Sequence, residues 1–283
     1  MRYGILRVAT IACALMFVGC SSSGSPRPSG TPDAGAASPP LAGQSFVLVH
    51  GAWMGAWGWT DVASGLRAKG AEVSVVELPA HGADMTPASA ATLDSYVRTV
   101  GAAIDAAGRP VTLVGHSMAG AVITGAAEEK SARIGRLVYL AAYVPKDGQS
   151  VQDLANTDAD SHVGPVIKVD MTALTASIPS ASLEDVFCAD CGPAQLASLQ
   201  SRYRDEPVVP LGTPVRSTAA NWGAVKKFYI YTENDHAVSP KLQRTMTTGV
   251  TWQRTATLPT SHSPVLSSAS AVVDTLVTFA TAN

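Results

Sequence analysis

The sequence has few charged residues and no excess of either sign. Lysine and arginine together number 20 and aspartate and glutamate 22, so the formal net charge is −2, and charged residues make up only 15% of the chain. A protein that binds nucleic acid needs a positively charged face for the phosphates. The composition therefore argues against a nucleic-acid partner.

A long apolar run of the kind that spans a membrane is also missing. The apolar stretch from Val8 to Val18 follows Arg2 and Arg7, and it is shorter than the roughly 20 residues that a transmembrane helix needs. A basic start, a short apolar centre and a small residue before a cleavage point are typical of a secretory signal peptide. This pattern predicts that residues 1–19 are a signal peptide.

The residues that follow predict a lipid anchor and a tether. Gly19-Cys20 before a run of serines resembles a bacterial lipoprotein signal, in which Cys20 becomes the lipidated first residue. Residues 21–43 are rich in serine, glycine, proline and alanine, a composition typical of a flexible linker. We expect an exported protein anchored through Cys20 to the outer face of a bacterial membrane, with its folded domain over residues 44–283. Ordinary secretion is the alternative.

Cysteine is scarce, which limits the possible metal and redox sites. Cys13 would leave with the signal peptide and Cys20 would carry lipid, so that Cys188 and Cys191 remain. A zinc site would need further ligands with matching spacing, and the chain has no second cysteine pair. In an exported protein, Cys188 and Cys191 are therefore predicted to form a short-loop disulfide. We expect neither a metal nor a cofactor.

The rest of the chain alternates apolar runs with helical patterns. Apolar runs rich in β-branched residues predict six strands, at about residues 45–50, 71–77, 111–115, 134–140, 225–231 and 251–258. Strands that alternate with helices predict a mostly parallel sheet covered by helices on both faces. Between about residues 146 and 222 the pattern loosens, which predicts an inserted cap of short helices, including 183–187 and 193–203.

The stretch from Val111 to Gly120 has the pattern of a nucleophile elbow. An apolar run ends at Gly115, Ser117 follows, and small residues lead into a helical pattern. Such a turn lifts the serine hydroxyl clear of the sheet, and the N-terminus of the helix behind it favours developing negative charge. The usual pattern is G-x-S-x-G, whereas here Ala119 takes the last position and Gly120 comes one place later. We predict Ser117 as a nucleophile; an ordinary strand-to-helix turn is the alternative.

A serine nucleophile needs a base to accept its proton and an acid to orient that base. In the chain order Ser…Asp…His the base lies in the loop after the last strand, where the available histidine is His262. The acid is expected after the fifth strand. Asp235 is preferred there over Glu233 because it lies deeper in the loop, and Asp147, after the fourth strand, is a further alternative.

Two backbone N–H groups are predicted to form an oxyanion hole. One belongs to Met118, directly after the nucleophile, and the other to Ala52, in the loop after the first strand. Trp53 and His50 lie in that same loop and are predicted beside the substrate pocket, with His50 acting as a hydrogen-bonding residue of the loop. His116 is expected to pack against or orient its neighbours.

These motifs together resemble the α/β-hydrolase superfamily. The stretch from Phe46 to Trp57, the elbow around Ser117 and the stretch from Tyr231 to Asp235 are similar to the branch that contains plant methylesterases, hydroxynitrile lyases and many bacterial esterases. The resemblance spans about residues 45–282. It implies a triad of Ser117, Asp235 and His262, with Ala52 and Met118 as oxyanion donors.

The expected activity is hydrolysis of small to medium apolar carboxylic esters through an acyl-enzyme, without a cofactor. Two alternatives use the same fold: a lyase that cleaves cyanohydrins, and a surface protein that binds a ligand without turnover. The lyases of this branch carry threonine at the position of Gly51, and lysine directly after the catalytic histidine, where this chain has Ser263. These two differences favour the esterase.

Overall fold

The computed structural model describes residues 38–282. The predicted signal peptide, Cys20 and the tether up to residue 37 lie outside the described residues. Within the described range, no helix is both long enough and apolar enough to cross a membrane.

Between residues 38 and 282 the chain forms nine strands. They are β1 (Ser45–Val49), β2 (Glu72–Val76), β3 (Val111–His116), β4 (Ile134–Leu140), β5 (Lys168–Asp170), β6 (Thr175–Ser177), β7 (Glu206–Pro207), β8 (Lys227–Thr232) and β9 (Arg254–Leu258). Six of them form one parallel sheet in the order β2-β1-β3-β4-β8-β9. The predicted mostly parallel sheet of about six strands is confirmed.

The helices of the same range are longest where they cover this sheet. They are α1 (Thr60–Ala68), α2 (Leu93–Ala106), α3 (Ala119–Lys130), α4 (Val151–Ala155), α5 (Val163–Val166), α6 (Leu183–Phe187), α7 (Pro193–Arg202), α8 (Val208–Gly212), α9 (Pro240–Thr247), α10 (Pro264–Ser267) and α11 (Ala269–Thr281). Apolar side chains of α1 and α11 form a core on one face of the sheet, and those of α2 and α3 form a second core on the other face. Because both faces are covered, β1 and β3 are buried throughout.

Local sequence explains where several helices begin. Thr92 and Ser95 form a reciprocal capping box at the start of α2. At α9, the Ser239 side chain accepts from the backbone N–H of Leu242, and Pro240 occupies the first turn. A 3-10 turn over Ala56–Trp59 precedes α1, which begins at Thr60.

The segment between β4 and β8 forms the cap, which we define as residues 146–222. It contains the short helices α4 to α8, as expected, and also an antiparallel sheet of β5, β6 and β7. The prediction of helices alone was therefore incomplete. Strands of two or three residues are too short to show an alternating apolar pattern, so the sequence offered no signal for this cap sheet.

Candidate active site

Ser117 stands at a strained turn between β3 and α3. Its φ angle is 57°, in the left-handed region that non-glycine residues rarely adopt. Backbone bonds hold the turn: Ser117 donates to the carbonyl of Leu140, and its own carbonyl accepts from Tyr143 and Gly120. Strain at a residue fixed in this way is characteristic of functional turns.

The glycine that the elbow requires is Gly120. A Cβ atom at this position would lie 1.9 Å from the carbonyl oxygen of Tyr143, so the backbones of α3 and of the segment after β4 can approach only because a glycine is present. Ala119 is fully buried. The close approach has moved by one residue, which explains why this chain tolerates alanine in the last position of the pattern.

His262 and Asp235 lie in line behind Ser117. The Oγ atom of Ser117 is 2.9 Å from Nε2 of His262, and Nδ1 of His262 is 2.8 Å from Oδ2 of Asp235. All three residues are buried, with Ser117 the most exposed at 7%. The geometry matches a nucleophile, a base and an orienting acid within hydrogen-bond reach.

The carboxylate of Asp235 is held by a dense set of donors. Its Oδ1 accepts from the backbone N–H groups of Ala237 and Val238, and its Oδ2 accepts from the hydroxyl of Thr232 and the side-chain amide of Gln243. These bonds leave the acid one orientation, toward His262. Gln243 was not singled out from the sequence, since nothing in its local pattern distinguishes it from other polar residues of α9.

The two alternative candidates for the triad carboxylate do not contact His262. Glu233 is exposed on the far side of the same loop, and Asp147 is exposed and accepts from the backbone N–H of Ser217. Neither is bonded to a histidine within the described residues.

Two backbone N–H groups are free to meet an oxyanion near Ser117. Ala52 and Met118 both line the cavity above the serine, and within residues 38–282 neither N–H donates to a protein acceptor. Gly51 brings the two loops together, because a Cβ atom there would lie 2.7 Å from Cβ of Ser117. Glycine at this position therefore allows the backbone of the loop after β1 to approach the elbow closely.

His116 supports the histidine loop from beneath. Its Nε2 donates to the backbone carbonyl of His262 over 2.8 Å, and the two rings lie 4.7 Å apart. Complete burial, reinforced by the proximity of His262, lowers the pKa of His116 to about 3. His116 is therefore neutral at physiological pH and holds its neighbour without adding charge.

The structure does not place His50 beside the pocket, which corrects its assignment there. Its side chain points behind the loop, where Nδ1 contacts the carbonyl of Gly51 and Nε2 accepts from the backbone N–H of Leu78. Burial lowers the pKa of His50, so the imidazole is neutral. The hydrogen-bonding role expected for His50 within its loop agrees with these contacts.

A cavity of about 710 Å³ opens above Ser117, between the sheet and the cap. This volume is typical of small-molecule sites. Trp53 lines it, as predicted, and its ring packs against Phe187 with 5.4 Å between centroids. Among the described residues, the lining contains no lysine or arginine, and its one carboxylate, Asp158, is bonded to the backbone N–H and the hydroxyl of Ser239.

Cys188 and Cys191 are joined in a disulfide, in the pairing that the sequence suggested. The short loop between them presents Asp190 to the segment around His262: its carboxylate accepts from the backbone N–H and the hydroxyl of Ser261 and from the hydroxyl of Ser267. The cap is thereby fastened to the loop that carries the histidine.

A second set of contacts joins the cap to the loop that carries Asp235. His162 and Asp185 belong to the cap, and His236 directly follows Asp235; their ligand atoms lie within 4.8 Å of one another. Nδ1 of each histidine contacts the carboxylate of Asp185, at 2.8 and 3.0 Å. Asp185 therefore links His162 of the cap to His236, the residue after Asp235.

The sheet order, the elbow and the order of the loops are those of an α/β-hydrolase fold. A family model described as "Alpha/beta hydrolase family" matches residues 46–275, and the chain belongs to this family.

The proteins that the chain is similar to include esterases. The chain is 42% identical over 115 residues to a carbendazim hydrolyzing esterase of Nocardioides sp. (strain SG-4G), which covers 39% of this chain and 46% of that protein. It is 28% identical over 223 residues to Esterase PIR7B of Oryza sativa subsp. japonica, covering 71% and 82%. Chloroplastic proteins of Arabidopsis thaliana named as methylesterases match 71% of this chain at 27 to 30% identity, and the chain spans about half of their length.

Solved structures share the fold. A pyrethroid hydrolase from Sphingobium faniae JZ-2 superposes with a TM-score of 0.75 at 23% identity, over 84% of this chain and 98% of that one. An extracellular alpha/beta-hydrolase from a Paenibacillus species gives a TM-score of 0.72 at 25% identity, over 83% and 98%.

Proposed function

We propose that this protein is a serine carboxylester hydrolase. The observation that carries the proposal is the buried line from Ser117 Oγ through His262 to Asp235, with hydrogen-bond distances of 2.9 and 2.8 Å, at the floor of an apolar cavity. The esterases among the relatives support the same reaction class.

In this proposal Ser117 attacks the ester carbonyl while His262 accepts its proton. The oxyanion that forms accepts hydrogen bonds from the N–H groups of Ala52 and Met118. His262 then protonates the departing alcohol, and Asp235 keeps its imidazole in the useful tautomer throughout. A water molecule that gives its proton to His262 hydrolyses the acyl-enzyme and restores Ser117.

The proposed substrates are uncharged esters with small to medium apolar groups. The cavity lining offers no cation to pair with a substrate carboxylate, and burial of an unpaired charge is costly. Apolar groups gain free energy from burial in such a lining, roughly 0.8 kcal/mol for each CH₂. Activity should therefore rise with acyl length until the cavity is filled.

The direct test measures hydrolysis of p-nitrophenyl esters of increasing chain length, with a fluorophosphonate probe as a second assay. We expect turnover of neutral esters, weak turnover of esters with a free carboxylate on the acyl chain, and covalent labelling of Ser117. A folded protein that binds such esters but neither turns them over nor reacts with the probe would be the non-catalytic binding protein instead.

A cyanohydrin-cleaving lyase is the rival reaction on the same three side chains. The related lyases place a lysine after the catalytic histidine, whereas Ser263 here is neutral, short and fully buried. Loss of a charge-assisted contact to departing cyanide would cost roughly 2–4 kcal/mol. A threonine in place of Gly51 would also clash with the elbow. Mandelonitrile and a short aryl ester, assayed side by side, decide between them: faster cyanide release would replace the esterase with the lyase.

We also propose export and lipid anchoring through Cys20. The basis is the sequence pattern around Gly19-Cys20, followed by a linker-like composition up to residue 43. Expressed in a bacterial host, the protein should partition into detergent and carry a lipid-sized mass on Cys20, and Cys20→Ser should abolish both. A wild-type protein found in the aqueous phase with an unmodified Cys20 would indicate plain secretion.

A further inference from the structure

The loop that carries Ala52 is held in place by the cap. We define the oxyanion loop as residues 50–54. Within it, Trp53 has a φ angle of 61°, a strained value for a bulky residue that persists only where its surroundings enforce it.

The cap supplies a partner for each polar group of Trp53. The backbone N–H donates to Oε2 of Glu206 over 2.8 Å, and the indole N–H donates to the carbonyl of Ala176 over 2.8 Å. The carbonyl of Trp53 accepts from the backbone N–H of Arg204. Ala176 and Glu206 are register partners on β6 and β7, so the small sheet presents both acceptors side by side.

Glu206 is fully buried, which requires compensation for its charge. Its Oε2 also lies 2.7 Å from Nε2 of His81, a residue that is fully buried as well. The second ring nitrogen of His81 faces the carbonyl of Pro79 at 3.0 Å. Both nitrogens of His81 thus face acceptors, the arrangement that a doubly protonated imidazolium satisfies and a neutral imidazole does not.

The electrostatics agree with a charged His81. Burial alone would lower its pKa, but the attraction of the Glu206 carboxylate and the hydrogen bond to it outweigh burial, and the pKa of His81 is raised. A buried ion pair costs desolvation and is weak evidence for stability by itself. Its position therefore calls for a role that an apolar pair would not perform.

We propose that Glu206 is a positioning residue for the oxyanion hole, and that His81 neutralises it. Glu206 fixes the peptide between Ala52 and Trp53, and so orients the adjacent N–H of Ala52 toward the reacting carbonyl. An unpaired carboxylate one peptide away would repel the oxyanion, and the charge on His81 cancels that repulsion. This inference rests on the proposed esterase function.

The test compares Glu206→Gln with a matched control, Glu128→Gln. Glu128 also accepts from several donors of one loop, namely Thr218, Asn221 and Trp222, but it does not line the cavity. Kinetics with an aryl ester are measured together with the Ki of an aryl trifluoromethyl ketone, whose adduct with Ser117 places an oxyanion in the hole.

For Glu206→Gln we expect kcat to fall about 10- to 100-fold, because the oxyanion donor is loosened rather than removed. The KM should change less than about threefold, and the Ki of the ketone should rise in parallel with the loss of kcat. Glu128→Gln should lower the unfolding temperature but leave kcat and Ki within about twofold. Equal effects of the two variants on Ki, or no effect of Glu206→Gln, would overturn the proposal.

Hydrogen exchange separates this inference from the esterase proposal. In the wild type, the Trp53 amide should exchange slowly, and Glu206→Gln should accelerate its exchange at least about tenfold. If the wild type hydrolyses no ester, the proposed function fails, and an unchanged exchange rate in Glu206→Gln would refute the positioning role separately.

If Glu206→Gln does not fold, a second variant, His81→Gln, tests the same proposal. His81→Gln keeps a side-chain N–H for Glu206 but leaves its charge uncompensated, so kcat should fall about tenfold and the ketone should bind correspondingly more weakly. Wild-type values of kcat and Ki in His81→Gln would contradict the proposal.

Discussion

The six-stranded sheet and the three-stranded cap sheet contribute to the candidate active site in different ways. The large sheet is parallel and buried, and the loops after its strands carry Ser117, Asp235 and His262. The cap sheet is antiparallel, and its first strand, β5, is exposed throughout. It holds no member of the proposed triad, yet β6 and β7 bind both N–H groups of Trp53.

The parallel sheet carries the groups that would react with substrate, whereas the cap carries groups that hold the loops of the site in position. The parallel sheet sets where the reacting atoms meet, because its strand ends converge at one edge. The cap then contacts each loop through a carboxylate: Glu206 binds the oxyanion loop, Asp190 binds the loop that carries His262, and Asp185 binds the loop that carries Asp235. Of these contacts, the one made by Glu206 is buried. Substitutions on the sheet side should abolish chemistry, and those on the cap side should weaken it by smaller factors.

The largest expected effect lies on the sheet side. Ser117→Ala and His262→Ala should each lower kcat on the order of 10⁴-fold or more, because each removes a reacting group. Ser263→Ala is the matched control: this neighbouring hydroxyl is fully buried and unbonded within the described residues, and its loss should change kcat little. Steady-state hydrolysis of an aryl ester provides the measurement. Near wild-type turnover by Ser117→Ala or His262→Ala would contradict the assignment of that residue as a reacting group.

Two carboxylates of one loop give the next test. Asp235→Asn should lower kcat about 10³- to 10⁴-fold, since an amide there favours the wrong tautomer of His262. Glu233→Gln, in an exposed side chain two residues away, should stay within about twofold of the wild type. The reverse ranking in the same assay would transfer the acid's role to Glu233.

Lowering the pH should reduce the free energy of unfolding through His116, which lies at the end of β3. Its folded pKa, about 3, lies below its unfolded value of 6.5, so the unfolded state binds the proton first and stability falls as the pH drops below 6.5. From pH 7.5 to pH 5 this group alone should reduce the free energy of unfolding by about 2 kcal/mol. Urea denaturation at both pH values measures the loss.

The variant His116→Gln should lose less stability over that interval. His50, whose pKa is also lowered, adds to the wild-type loss, while the raised pKa of His81 opposes it, since its contribution is present at low pH and is lost as the pH rises through the folded pKa. Equal pH slopes in wild type and variant would contradict the assignment to His116.

The smallest expected effect belongs to the cap. Asp190→Asn weakens the contacts to Ser261 and should lower kcat/KM about 3- to 10-fold, the range for the net contribution of one ordinary hydrogen bond. Asp170→Asn is the control, because this exposed cap aspartate bonds only to nearby backbone at Thr172 and Ala173. A loss of kcat/KM above about 1,000-fold in Asp190→Asn would contradict the expectation that cap substitutions have smaller effects than those in the loops of the parallel sheet.

Much of the large sheet and of the site could be predicted from the sequence. The central strands β1, β3 and β4 are largely apolar, and the order of motifs placed Ser117, Asp235 and His262 at strand ends. Local patterns could not indicate Gln243, Glu206 or His81, since a polar residue in a loop or short element looks the same whether or not it meets a partner.

The sequence by itself determined the approximate strand positions, the elbow and the candidate reacting residues, because each depends on periodicity and spacing within a few neighbouring residues. Only the tertiary structure decided which carboxylate meets His262, where His50 points, and what holds Trp53 in its strained conformation. These contacts join residues far apart in the chain: Trp53 and Glu206 are separated by 153 positions. Their partners are selected by how the cap packs on the sheet, which no local pattern encodes.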